Sequence, residues 1–434
     1  MPGAVVITIR EGRTKHQVVR GWADKAAATP LTVEHLFPLG RLTEPLTAYG
    51  LLRMEKQRSV KLDLPVNTYL DDWAVSEGPY NPGDVTIRGL LSHSAGIEPW
   101  PEDGLPKYGT LTTLDKLEGK GGFPSVRIQD RPGAGYQYAR AGYLILQKVV
   151  EDITGMPFAA YMQKSILPEV AVHTGGFTNR LPVDSTWAKP HAWNGTVPGG
   201  SFLVPVAAAG GAYMQPLDYV HFWETLMTPN DSLQQVIWKQ LQRRQIEAMP
   251  LFLPSNVGYG FGTGLERRAD SLILMTGFSQ WPEGWAHGYC MLPDRQAGVF
   301  VFTNGIGGDA LVNRVVSMWA QQQQNIAPPR KVKIAFWLDW VAIVLILMIL
   351  VAGIHLAYWL YQTRTRRSLG IYSVTQAMVI LAWLVMVVLT IQFVFPEIMT
   401  HLPHFFLLSA VPLSIYLLLL LTWLVVPVRH NSAG

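Results

Sequence analysis

Three long apolar runs close this chain, at residues 334–360, 371–395 and 405–428, and they restrict its possible folds more than any other feature. Each is longer than the roughly 20 residues a helix needs to cross a ~30 Å hydrocarbon core. Trp337, Trp340, Tyr358, Trp359 and Tyr361 gather near the ends of the first run, where interface anchors sit. Three such runs in succession, almost without an amphipathic break, are not the pattern of buried helices in a soluble core. They also explain a mean hydropathy of +0.17 and a charged fraction of only 15%. The expected organisation is a globular domain at 1–325, a polar, proline-containing linker at 326–333 and a membrane domain at 334–434.

Loop charges set the expected orientation. Arg364, Arg366 and Arg367 lie between the first two runs and Arg429 follows the third, whereas residues 396–404 carry no Lys or Arg. The positive-inside rule then places the first loop and the C-terminus in the cytoplasm and the globular domain outside the cell membrane. Arg330, Lys331 and Lys333, just before the first run, pull the other way. An exported domain ordinarily follows an N-terminal signal, and residues 4–9 already read as a strand. The expectation is therefore a leader that precedes residue 1 or has been removed. Asp339 sits near a run end, as an interfacial group would, and His355 is placed to face another helix.

Across the whole chain 35 basic residues face 31 acidic ones, a formal net charge of +4, and no Lys/Arg-rich stretch interrupts the first 325 residues. That leaves no electrostatic footprint for nucleic acid. The single cysteine, Cys290, excludes an internal disulfide and a cysteine metal cluster, and its apolar surroundings suit a buried thiol. No metal or cofactor is implied.

In the globular part, residues 4–24 read as two strands around a glycine turn, and 44–57 reads as a helix with Pro45 in its first turn. Helical periodicity returns at 142–154 and 217–227, and a helix-like stretch runs through Trp319. Residues 271–278, 285–292 and 297–304 look like three successive strands. Strands at both ends with helices between imply an α+β domain, an antiparallel sheet whose outer parts come from distant segments.

Six segments carry a family resemblance, in order: PGAVVITIREG, LFPLGRLTEPLTAYGLLRMEKQRSVKLDLPVNTYL, VTIRGLLSHSAGI, PGAGYQYARAGYLILQKVVEDITGMPFAAYM, AAAGGAYMQPLDYVHFW and GVFVFTNG. Over roughly residues 2–320 the chain resembles the serine β-lactamase family of the class C type, with its D-alanyl-D-alanine carboxypeptidases, penicillin-binding proteins and esterases. The resemblance implies a β-lactamase/transpeptidase-like domain, an antiparallel sheet flanked by helices plus a helical subdomain. The layout with three C-terminal spans is also similar to membrane peptidases that mature prodrug-type products, such as the colibactin-maturing peptidase.

Family chemistry is acyl transfer by Ser-x-x-Lys on a helix N-terminus, Tyr-x-Asn and a Lys/His-Thr-Gly strand. The resemblance puts Arg41 and Glu44 at the Ser and Lys positions, keeps Tyr138, puts Arg140 at the Asn position, and reads the strand motif as Met275-Thr276-Gly277. Arginine stays protonated and has no usable lone pair for acyl transfer. No Ser-x-x-Lys occurs anywhere; Thr113–Lys116 has the spacing with threonine but falls in an expected loop, and Thr43 points elsewhere round the helix. His93 reads as a packing or turn residue, and His287 and Tyr289 as cleft-lining or surface positions. Arg41 and Glu44 can pair at i, i+3 on the helix surface. Alternatively Arg41 and Arg140, beside Tyr138, can hold a carboxylate or phosphate. Arg41, Glu44, Tyr138, Arg140, Thr276 and Gly277 are thus the candidate ligand-binding set.

Two functions remain open at this point. One is a catalytically inactive, membrane-anchored binding or regulatory homologue, its partners the membrane and a cell-wall peptide or anionic small molecule. The other is an active hydrolase, a peptidase, carboxypeptidase or esterase using altered chemistry. In a third arrangement the membrane domain acts and the globular domain senses.

Overall fold

The computed structural model describes residues 2–323 except 77, 101–110, 182–183, 185, 199–201, 248–256 and 268–272. The three apolar runs, the linker, Asp339 and His355 lie outside the described residues. Among the described residues no helix is long and apolar enough to cross a membrane.

The chain starts with β1 (Gly3–Arg10) and β2 (Arg13–Asp24), joined at Arg10↔Arg13 by a two-residue turn. Glu11 and Gly12 both take positive φ there, 55° and 71°, the handedness that matches strand twist. Val5, Ile7 and Ile9 alternate onto the buried face of β1. After the short β3 (Thr29–Pro30) come α1 (Glu44–Lys56), α2 (Thr113–Leu117), α3 (Arg140–Thr154), α4 (Ala207–Gly210) and α5 (Pro216–Met227). The chain then returns to the sheet through β4 (Ile246–Glu247), β5 (Val257–Tyr259), β6 (Gly264–Arg267), β7 (Ile273–Gln280), β8 (Ala286–Leu292) and β9 (Ala297–Thr303). The described residues end in α6 (Gly308–Gln322).

Nine strands form one antiparallel sheet in the order β3-β2-β1-β9-β8-β7-β6-β5-β4. The outermost strands do come from distant segments, and so does the central junction, where Ala4 faces Thr303. Chain entry and exit are therefore locked side by side, and every residue of β8 and β9 is buried. One face of this centre packs on α5: Trp223 lies 5.2 Å from the Tyr289 ring. On the other face Gly288 clears room for Val312 of α6. The helices between β3 and β4 form an apolar body continuous with the sheet's core, with Tyr49, Tyr143, Phe158 and Phe222 fully buried. The beginning of α1 lies where that body meets the sheet.

One expectation fails here. Residues 113–117 form a short helix, not a loop: Thr112 and Asp115 make reciprocal capping bonds at its start.

Candidate functional site

A tight helical turn, Gly40–Thr43, leads into α1, and four hydrogen bonds pin the junction. Leu39 N–H donates to the Ala212 carbonyl at 2.8 Å, and Ala212 N–H donates back to Thr43 Oγ1 at 3.1 Å. Thr47 Oγ1 donates to the Ala208 carbonyl at 2.7 Å. Arg41 N–H donates to Ser279 Oγ on β7 at 3.1 Å. Gly40 is required at this crossing: its φ is +54°, and a Cβ there would stand 2.1 Å from Ser279 Oγ.

The first residue of α1, Glu44, is 1% exposed. Its Oε2 accepts from the Tyr259 hydroxyl at 2.7 Å and from His93 Nε2 at 3.3 Å, while Oε1 is buried without a hydrogen-bond partner among the described residues. His93 is held at φ +54°, and its Nδ1 accepts the Ala139 N–H at 3.3 Å. The ring proton therefore sits on Nε2, directed at the carboxylate. Around His93 stand Tyr138, Tyr143 and Tyr259, with ring centroids at 4.5, 5.0 and 5.4 Å, and Tyr136 packs on Tyr259 at 4.9 Å.

This enclosure governs the phenols. Burial first, and then the Glu44 charge, push the Tyr138 hydroxyl up to about 12, against the opposing pull of Arg41 and Arg140. Tyr143 and Tyr259 are raised further by the same two causes. Over the outer face of Tyr138 lies the Arg41 guanidinium, 3.8 Å from the ring centroid. A cation in that position gains ~0.5–2 kcal/mol from the ring quadrupole.

The structure thus brings Arg41, Glu44 and Tyr138 together, with Arg140 near enough to bias the same phenol. A helix-surface position for Glu44 is not observed. The first turn of α1 is inserted under the tyrosines, so the carboxylate is enclosed while Arg41 lies on a ring above it. The strand motif divides by pleat alternation. Gly277 faces α1, since a Cβ there would meet Tyr289 and Leu42. Thr276, opposite Cys290, faces the α6 side with Phe278, away from Arg41. Met275 is fully buried. The residue of β7 that reaches the turn is Ser279, two positions beyond Gly277 on its face.

Ser279 and Tyr259 were missed in the sequence. Ser279 could have been found by stepping two residues along the strand; Tyr259 belongs to no motif. His93 does pack, as its segment suggested, but it also holds Glu44. His287 is neither cleft-lining nor surface: it is 1% exposed and its Nε2 donates to the Pro38 carbonyl at 2.8 Å. Burial pushes its pKa down to about 3. Tyr289 and Cys290 are fully buried. Thr113 and Lys116 are interior structural groups, with Thr113 Oγ1 accepting from Gln147 Nε2 at 2.8 Å and Lys116 Nζ donating to the Pro205 carbonyl at 2.9 Å. Among the described residues no three His, Cys, Asp or Glu side chains gather as metal ligands.

A family model described as Beta-lactamase matches residues 1–316. The chain is similar to Esterase EstB of Burkholderia gladioli, 30% identical over 189 residues, covering 42% of this chain and 48% of the esterase. It is 26% identical over 221 residues to Teichoic acid D-alanine hydrolase of Staphylococcus aureus, covering 50% of this chain and 52% of the hydrolase. It is 22% identical over 280 residues to Penicillin-binding protein 4* of Bacillus subtilis, covering 60% and 59%. The chain spans about half the length of the curated relatives it matches. Among solved structures, the octameric penicillin-binding protein homologue from Pyrococcus abyssi superposes with a TM-score of 0.61 at 19% identity, covering 73% of each chain. The D-amino acid amidase from Ochrobactrum anthropi gives 0.56 at 21% identity, covering 70% of this chain and 86% of the amidase.

Proposed function

The chain belongs to the beta-lactamase family, and from that membership we propose that it is a non-catalytic, membrane-tethered homologue that binds a ligand where its relatives perform acyl transfer. One observation carries the reading: Arg41 and Glu44 stand at the turn entering α1, with the Glu44 carboxylate enclosed by Tyr259 and His93. Acyl transfer by this fold needs a hydroxyl nucleophile and a basic amine on one helix face. A guanidinium supplies no nucleophilic lone pair. A carboxylate committed to two hydrogen bonds, without water access, is no substitute for the amine. The backbone amide of Arg41, which could otherwise polarise a carbonyl oxygen, already serves Ser279.

The same site carries two cations. Arg41 and Arg140 are both half-buried and flank Tyr138, an arrangement that suits the carboxylate of a cell-wall peptide or of a small anionic molecule. Tethering rests on the three apolar runs, and the loop arginines put the binding domain outside the cell membrane with the C-terminus in the cytoplasm.

Intact-protein mass spectrometry after incubation with a penicillin and with a fluorophosphonate tests the central claim. No adduct is expected on the unmodified chain. A stoichiometric adduct that survives denaturation overturns the reading. Binding is tested separately by thermal shift with peptide carboxylates and phosphates: a rise in melting temperature is expected, lost in Arg140→Ala.

A further inference from the structure

Away from this site, β2 presents an open sheet edge. Its only outer neighbour, β3, pairs at Trp22 and Asp24, so the preceding part of the strand has no partner on that side among the described residues. The direction of the backbone groups follows from the ladder. Trp22 N–H donates inward to the Pro2 carbonyl, and Gly21 receives Leu31 N–H from outside. Alternation along the register Val5↔Val19 and Ile7↔Gln17 then turns the N–H and C=O of Gln17 and Val19 outward. The Val19 carbonyl is touched by Arg20 Nη1 at 2.8 Å, and the open stretch ends at Thr14, whose N–H is taken by Glu224.

The side chains along this edge have a consistent chemistry. Arg13, Lys15, His16 and Arg20 lie within eight residues that contain no acid; Glu11, in the turn, pairs with Lys15 at 3.4 Å. His16, Val18, Arg20 and Trp22 share one pleat face. On it Val18 is 46% and Trp22 39% exposed, although both are large apolar groups. Charged edges normally repel added strands. Here the charges have one sign, and they alternate with exposed apolar groups. That pattern rejects a second copy, whose arginines would face these, and matches a strand whose side chains on that face are alternately acidic and apolar, in an acid-x-apolar-x-acid spacing.

We propose that β2 is a docking edge for an extended acidic segment of a partner protein, which adds to the sheet as a further strand beside Gln17 and Val19. Main-chain bonds give the register, and on one face of the added strand glutamate or aspartate stands opposite His16 and Arg20 with an apolar side chain between them over Val18.

The test uses the full chain purified in detergent and a fluorescein-labelled peptide of about seven residues, Val-Thr-Glu-Thr-Val-Thr-Glu, whose valines and glutamates alternate along one face, read by anisotropy. Saturable binding is expected, absent for the same peptide with lysine in place of glutamate. Gln17→Pro removes an outward N–H while leaving the β1 ladder intact, so affinity should fall at least about tenfold with an unchanged melting temperature; Gln17→Ala should bind as the wild type. If Gln17→Pro does not fold, a peptide N-methylated at alternate residues, tested on the wild type, must lose binding by a similar factor. Failure of the acidic peptide to bind, equal binding of the lysine peptide, binding unaffected by both backbone blocks, or a dimer held through β2 would each overturn the proposal.

Discussion

The Tyr259 hydroxyl donates a 2.7 Å hydrogen bond to the Glu44 carboxylate across 215 positions of sequence, tying β5 to the first residue of α1. The carboxylate is buried and Oε1 has no partner among the described residues, so Tyr259 and His93 each carry much of the compensation for its desolvation. Tyr259→Phe deletes one donor and leaves the acceptor in place. The expected loss is ~1.5–3 kcal/mol in urea-induced unfolding, larger than for an exposed tyrosine. A variant as stable as the wild type would show that the bond does not hold the site together.

The turn before α1 is sterically closed. Gly40→Ala should cost at least about 1 kcal/mol from the left-handed backbone alone, and more from the contact with Ser279. Combining it with Ser279→Gly should cost less than the sum of the two single changes. A double-mutant cycle from melting curves measures this coupling, and strict additivity would refute the contact.

His287 should contribute to acid sensitivity. Its pKa lies at about 3 in the fold against an ordinary 6.5, so between these values the unfolded chain takes up a proton that the native one does not. Stability contributed by this group is present above pH 6.5 and is lost as pH falls below it, with a limiting slope of ~1.4 kcal/mol per pH unit. His287→Gln keeps a donor for Pro38, and its stability should vary less steeply from pH 6.5 to 4. Parallel curves for the two proteins would contradict the assignment.

At the alkaline end the tyrosine cluster acts in the opposite direction. Tyr138 is held at about 12 against an ordinary 10.0, so the fold favours the neutral phenol and loses stability as pH rises above 10. Ultraviolet titration should show these tyrosines ionising late, and Glu44→Gln should move Tyr138 downward because one cause of its shift is gone. An unchanged titration in Glu44→Gln would mean that the carboxylate does not act on the phenol.

Topology is tested by fusion. A reporter attached after Gly434 should be active only in the cytoplasm, and protease added to protoplasts should digest the globular domain. A C-terminal reporter active outside the cell reverses the proposed orientation.

Local pattern carried much of this protein. The apolar alternation of β1, the glycine turn after it, the periodicity of α1 and α3 and the run of three strands from β7 to β9 are written in neighbouring residues, because each element is stabilised by side chains two to four positions apart. The proposed standing of Arg41 and Glu44 at the Ser-x-x-Lys positions is a local reading of the same kind, from a stretch of four consecutive residues.

Contacts between distant segments could not be read that way. Whether Glu44 paired outward or turned inward depended on Tyr259 and His93 arriving from other elements, and a buried carboxylate persists only where such donors converge. Which residue of β7 met the α1 turn depended on the pleat phase of a strand whose neighbours set it, and that phase sent Thr276 away and brought Ser279 in. The sequence by itself determined the elements and the residues that stand at 41 and 44; the tertiary structure decided what those residues touch, because desolvation and hydrogen-bond partnership belong to the assembled interior.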